Sequence, residues 1–307
     1  MPQAKNIVWR DTALTWLTYQ TLKLLPLFRR MPDWMARALG RVTGAAAYMV
    51  WKRPRRVAIE NLAHAYPDWS EQQIRRLAYS AFQKWGGFFI QFLRLHSFTD
   101  EDWETRVIVE GSEHVYRALE RGRGVIIATG HLGCFEAGAA YIGHLKMPVS
   151  VIARYAKTPA MTALVTGLRE SGGYQVLVDD TRGFKAMRLL RANEIVCILI
   201  DQDSGSNGVF VDYFGRPASA PPGPAILAGR SGAAIVPGWV VEDPQGKLRF
   251  IVEPEVPNPG PRPTPDQVQV TMQEMTSRLE AVVRRYPDQW LWMHRRWKTP
   301  KSTDSSR

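Results

Sequence analysis

The chain has almost no cysteine: two thiols in 307 residues, Cys134 and Cys197, each inside an apolar run. That scarcity excludes a disulfide framework and a zinc site built on paired cysteines, and it makes a reducing, cytoplasm-facing body the simpler expectation. A Gly-x-Ser-x-Gly elbow is absent, so the common serine nucleophile of α/β hydrolases is missing. The N-terminus lacks the short basic, apolar and small-residue order of a cleaved signal peptide. No apolar run reaches the length of about 20 residues that a membrane span needs. Two come near: Ala13 to Phe28 is broken by Lys23 and Pro26, and Trp34 to Trp51 carries Arg37 and Arg41. Both suit helices lying at a bilayer surface, with one tilted span or a helical hairpin packed on the core as alternatives.

Acidic residues are also short. Asp and Glu number 29 against 40 Lys and Arg, a formal net charge of +11 that asks for an anionic partner. Phospholipid, nucleic acid and an acidic carrier protein all satisfy that demand. What surrounds the two apolar segments favours the first: Trp9, Trp16, Trp34 and Trp51 stand among Arg29, Arg30, Lys52, Arg53, Arg55 and Arg56. Such a mixture of aromatic and basic residues suits a headgroup interface.

With 45% apolar residues the chain can bury a substantial core. From Ser70, which can cap a helix through Gln73, the apolar residues Ile74, Leu77, Ala78, Ala81 and Phe82 recur at helical steps. That helix runs past Gly86 and Gly87 to about Leu95, the glycine pair permitting a kink or a close approach by another backbone. Beyond Asp102 the period shortens. Strand-like runs occur at Val107 to Val109, Val125 to Ala128, Val149 to Ala153, Val176 to Val178, Ile195 to Ile200, Ile235 to Val241 and Phe250 to Val252, most of them separated by helix-like stretches. The pattern predicts an α/β fold, a mostly parallel or mixed central sheet flanked by helices and buried on both faces. Phe210 to Pro217 reads as a shaped loop, Pro254 to Pro265 as a surface connection, and Asp266 to Arg285 as a helix. We expect an N-terminal membrane-interacting helical region over 1–56, a single α/β domain over 57–300 and a frayed tail over 301–307.

The most informative stretch is Gly130-His131-Leu132-Gly133-Cys134-Phe135-Glu136, directly after a strand. In one continuous helix His131 and Glu136 would lie about 140° apart around the axis. They can converge if His131 ends the strand and Glu136 begins the next helix. Glu136 would then fix the imidazole tautomer and leave the other ring nitrogen free to take a proton, a base with its orienter whose nucleophile is supplied by the substrate. Against this stands the plainer possibility of a satisfied histidine in a turn. Cys134 looks like a packed small residue rather than a thiolate.

Two further groups sit at strand ends, where open α/β sheets place their sites. Asp201-Gln202-Asp203-Ser204-Gly205-Ser206-Asn207-Gly208 follows a buried run; Asp201 could orient His131, hold an arginine or support its loop, and an Asx-type turn of solvated acids is the bland alternative. Arg154 could meet a phosphate or a developing oxyanion, or pair with Asp201 or Asp203. Trp290-Leu291-Trp292-Met293-His294-Arg295-Arg296-Trp297-Lys298 could stack on bases, bind a headgroup or line a domain edge. No nucleic-acid motif occurs elsewhere, so nucleic acid is not expected as a partner.

These blocks together resemble the late (lauroyl or myristoyl) acyltransferases of lipid A biosynthesis, within the wider glycerolipid acyltransferases. The resemblance rests on His131 to Glu136 as the family's His, four residues, acidic pattern. It rests also on Asp201-Gln202-Asp203 leading to Gly208-Val209-Phe210-Val211 and Phe214-Gly215-Arg216-Pro217, on Arg56 to Pro67 with Asn61-Leu62, and on Trp292 to Lys298, all in the family's order. It implies a membrane-bound enzyme on the cytoplasmic face of the inner membrane, with His131 as base, Glu136 as its partner, and roles for Arg154 and Asp201, Asp203 lying in the same block. The implied donor is an acyl carrier protein thioester or acyl-coenzyme A, used as cosubstrate with no bound cofactor or metal; the acceptor is a lipid A precursor or related glycolipid. The weaker N-terminal span and the Ser204 to Asn207 loop depart from better-known members and leave a phosphatidylinositol mannoside, an ornithine-type lipid or a lysophospholipid open as acceptor. A thioesterase, or a lipid-binding protein without catalysis, are the competing classes.

Overall fold

The computed structural model describes residues 16, 20, 23–154, 156, 158–178 and 182–301. Half of the segment from Ala13 to Phe28, and the tail beyond 301, lie outside them.

Seven strands form one sheet in the order β1-β9-β8-β2-β5-β3-β4, where β1 is Val107–Glu110, β2 Val125–Thr129, β3 Val149–Ile152, β4 Gln175–Leu177, β5 Ile195–Leu199, β8 Ala234–Glu242 and β9 Leu248–Val252. The run from β8 through β2, β5 and β3 to β4 is parallel, while β9 pairs antiparallel with β8 and parallel with β1. All seven expected strand runs are in this sheet, which is mixed and mostly parallel. The alternation of strand side chains divides the core: Ile126 and Ala128 of β2 pack on one face, Val125 and Ile127 on the other. Such a strand needs apolar residues at every position, which is why β2 and β5 read as continuous hydrophobic runs.

Helices cover both faces. Those after β2 and β3, α7 (Glu136–His144) and α8 (Pro159–Ser171), follow the alternation of strand and helix; α9 is Arg182–Arg191, α10 Gly223–Ser231 and α11 Pro265–Arg285. Shorter helices α5 (Asp100–Arg106) and α6 (Glu113–Glu120) flank β1. The stretch read as a shaped loop at Phe210 to Pro217 is instead an antiparallel hairpin, β6 (Val209–Tyr213) with β7 (Arg216–Ala220). Phe214 and Gly215 both take positive φ, 57° and 72°, the geometry of a tight hairpin turn. Its edge is held by α11, where Gln273 bonds both backbone groups of Asp212 and Glu280 accepts from the Phe214 N–H.

At the N-terminal side, residues 23–30 are helical (α1), and after Met31-Pro32 come α2 (Asp33–Val50), α3 (Lys52–Ala65) and α4 (Glu71–Leu95). Ser70 and Gln73 form the expected capping box on α4, a device worth about 1 kcal/mol. Gly86-Gly87 does not end α4. It is a crossing point: a Cβ on Gly40 of α2 would lie 2.4 Å from Gly87 Cα, and one on Gly86 would lie 2.1 Å from Gly40 O. One side of α2 is therefore consumed by backbone contact. The other presents Trp34, Val42, Met49 and Val50, all more than 60% exposed, beside exposed Arg37 and Arg41. Among the described residues no helix is long and apolar enough to cross a membrane.

Candidate active site

His131 stands two residues past the end of β2, and Asp201 two residues past the end of β5, its hydrogen-bonded neighbour. Parallel pairing in this register brings the two strand ends together. Gly130 leaves room for the approach, since a Cβ there would sit 3.2 Å from Asp201 Oδ2. Gly133 turns the chain at φ 56° with a Cβ position only 2.2 Å from Val240 O, so the loop into α7 lies flat on β8.

The expected partnership of His131 with Glu136 is not what this fold builds. His131 Nδ1 lies 2.8 Å from Asp201 Oδ1, and the His131 backbone N–H donates to Asp201 Oδ2 at 2.7 Å. The Trp290 indole N–H donates to the same Oδ2 at 2.9 Å. Glu136 opens α7, but its carboxylate turns away: Arg169 of α8 grips it through Nε and Nη2 (2.6 Å for the closest contact) and the Tyr174 hydroxyl donates to it at 2.8 Å. The side chain of Phe135 meets the His131 ring edge-on, centroids 5.0 Å apart. Five residues suffice to carry the chain from strand to helix but do not turn the first helical side chain back toward the strand end. Asp201, one of the roles weighed from sequence, occupies the place expected of Glu136.

Asp201 is 3% exposed. Burial pushes its carboxyl up, but the His131 charge, the hydrogen bonds from the His131 ring and backbone and that from Trp290 outweigh it and hold the group at about 2. An ionised Asp201 facing Nδ1 fixes the neutral imidazole with its proton on that nitrogen, leaving the Nε2 lone pair as the basic atom. The Gln202 amide lies 3.4 Å from Nε2, at the outer limit of a hydrogen bond.

His131 borders a cavity of about 730 Å³, within the size range of small-molecule sites. Its walls are mostly apolar and reach from Pro222 and Gln202 past His131 to Ile142, Tyr116 and Phe250. Glu136 and Arg169 line it, and so does Arg154, exposed just past β3. Arg154 is paired with neither Asp201 nor Asp203, whose partners are other groups. Asp203 lies outside the cavity: it accepts from the Gly205 N–H, the Thr299 N–H and the Thr299 hydroxyl, and its own N–H donates to His294 Nε2. Structure therefore brings His131, Glu136 and Arg154 to one chamber, sets buried Asp201 behind His131, and leaves Asp203 as a clasp on the loop. Arg169 and Tyr174 gave no signal in the sequence.

Neither thiol can serve as a nucleophile at neutral pH. Burial pushes Cys134 well above the ordinary thiol range and Cys197 to about 12. Among the described residues no group of three or more histidine, cysteine or carboxylate side chains could hold a metal ion. What the site offers is a half-buried imidazole paired with a buried carboxylate beside a mostly apolar chamber.

Comparison with known proteins agrees with that inventory. The chain matches the bacterial lipid A biosynthesis acyltransferase family over residues 5–299. It is 28% identical to a lipid A biosynthesis lauroyltransferase of Escherichia coli over 92% of each chain, and 28% identical to a lipid A biosynthesis palmitoleoyltransferase of the same organism over 95% of this chain and 94% of the other. A phosphatidylinositol mannoside acyltransferase of Mycolicibacterium smegmatis is also 28% identical, over 60% of each chain. With nearly its whole length inside the family model, this chain belongs to the bacterial lipid A biosynthesis acyltransferases.

Proposed function

We propose that the protein transfers a fatty acyl group from an acyl thioester to a hydroxyl of a lipid A precursor or a related glycolipid, with His131 as general base. The observation that carries this reading is the imidazole tied by Nδ1 to buried Asp201 while its ring borders a mostly apolar cavity of about 730 Å³. The acceptor oxygen gives its proton to His131 Nε2 and attacks the thioester carbonyl; the C–S bond breaks and the departing thiolate recovers the proton from the imidazolium. No enzyme nucleophile is needed. Arg154 supplies positive charge to the oxyanion or to a donor or acceptor phosphate. The Glu136–Arg169–Tyr174 cluster supports the chamber by anchoring the first turn of α7 to α8.

The donor is an acyl carrier protein thioester or acyl-coenzyme A. For the acceptor, two relatives are named for lipid A and one for phosphatidylinositol mannoside, which supports a glycolipid hydroxyl as the shared chemistry. The exposed stripe of Trp34, Val42, Met49 and Val50 on α2, with Arg37, Arg41, Lys52 and Arg53, supports peripheral attachment to an anionic bilayer on the cytoplasmic side of the inner membrane.

Mass spectrometry of membrane lipids from cells with and without the active chain tests the assignment. A gain of one ester-linked acyl group on a glycolipid, lost with His131→Ala, is expected. Release of free fatty acid without an acylated lipid would show water to be the acceptor, and unchanged transfer by His131→Ala would end the proposal.

A further inference from the structure

The aromatic and cationic run near the C-terminus is neither an exposed stacking surface nor a domain edge. Trp290, Trp292 and Arg296 are each at most 1% exposed. This segment crosses both halves of the site. Gly133 donates its N–H to Gln289 O and Leu291 donates its N–H to His131 O, each at 3.0 Å, so the strap pairs with the loop that bears the base. On the acid side, Trp290 reaches Asp201, and His294 and Thr299 hold Asp203. Asn61 of α3 fastens the strap from behind, its amide donating to Trp292 O and His294 O at 2.8 Å each.

The bond from Trp290 differs in kind from the others because it ends on the reacting pair. Asp201 Oδ2 takes two donors, the His131 backbone N–H and the Trp290 indole. With that oxygen fixed from two directions, the carboxylate cannot rotate, and Oδ1 stays aimed at Nδ1. An indole N–H only donates and does not titrate near neutrality, so it holds the carboxylate without competing for the proton. It also withdraws charge from Asp201, which limits how strongly the carboxylate stabilises an imidazolium. We infer that Trp290 is a positioning residue for acyl transfer, setting both the orientation of Asp201 and the basicity of the His131–Asp201 pair. This inference rests on His131 being the base.

Other ionisable groups face the pair: Tyr213 on β6, and His294 and Arg296 on the strap, while Asp203 faces those two strap groups and Glu136, Arg169 and Arg154 line the cavity. None of these is altered by Trp290→Phe, which deletes the donor and keeps an aromatic ring. In the full chain, assayed with dodecanoyl thioesters of coenzyme A and of acyl carrier protein and a lipid A precursor in micelles, Trp290→Phe should lower kcat about tenfold with KM little changed. The acid limb of kcat/KM should move to higher pH, because an undamped carboxylate favours the imidazolium. Trp292→Phe is the control: its indole donates to Pro287 O, away from the pair, and its loss should leave the acid limb in place.

A Trp290→Phe profile that superimposes on the wild type, or an equal shift with Trp292→Phe, overturns the inference. His131→Ala separates the two levels of the argument. If it retains turnover, the base assignment itself fails; if it loses turnover while Trp290→Phe does not, only the role of Trp290 fails. Should Trp290→Phe not fold, the wild-type protein still decides: the Trp290 indole N–H resonance must move with the same midpoint as the His131 ring, and a resonance flat through that titration overturns the proposal.

Discussion

Two carboxylates, Asp201 buried and Glu136 half-buried, stand close to one cavity with different partners. Asp201 spends one oxygen on holding itself in place and keeps the other on an imidazole that still has a free nitrogen. Glu136 is consumed on all sides, by a forked guanidinium and a phenol. Asp201 is the more deeply buried of the two, but the sharper distinction lies in the partner. A guanidinium stays protonated and makes a permanent pair, whereas an imidazole can exchange its proton at neutral pH. On the proposed function, one carboxylate serves the reaction and the other holds a wall.

That contrast is open to attack by substitution, and the largest effect should come from the base. His131→Ala is expected to reduce turnover about a thousandfold with the fold intact by circular dichroism. Asp201→Asn should cost about a hundredfold in kcat, since the amide can present a donor to Nδ1 and favour the wrong tautomer. Equal losses from Glu136→Gln under the same assay would erase the contrast.

For the wall, the expected loss is in stability. Arg169→Met leaves the half-buried Glu136 carboxylate without its cation and should destabilise the chain by about 3 kcal/mol, read from the urea midpoint. The double substitution Glu136→Leu with Arg169→Met should recover much of that, which would mark the pair as a packing device.

The smallest effects are in the pH dependence of folding. Asp201 is held at about 2 in the fold against 3.8 when free, so its contribution is complete above about pH 4 and is lost as the pH falls toward 2. His294 is pulled below its ordinary 6.5, by burial first and then by the neighbouring His131 and Arg296. The unfolded chain therefore binds more protons there, and stability should decline as the pH drops below about 6.5, a slope that His294→Gln should flatten.

How much of this was readable from residues alone depends on the range of the signal. The sheet was legible because β5 and all of β2 but its last residue, Thr129, are apolar and so announce strands covered on both sides. The hairpin of β6 and β7 was not, because Gly208, Gly215 and Pro217 break its period and only α11 secures its edge. The position of His131 at a strand end was legible from the strand before it and the glycines around it. Its partner was not: chain spacing favoured Glu136, five residues on, whereas the register of β2 against β5 selects Asp201, seventy residues away. Interleaved tryptophans and arginines carry no periodicity that separates inside from outside, so the run from Trp290 to Lys298 gave no sign of being buried.

The crossing of α2 and α4 has one more consequence. Where main chain rests on main chain through Gly40, Gly44 and Gly86, there are no rotamers to rearrange, and the joint behaves as a weld. Through Phe88, whose carbonyl faces the Cys134 thiol, that weld continues to the loop between His131 and Glu136. A tilt of α2 is thus passed to α4 as a rigid rotation about a joint made by three missing side chains.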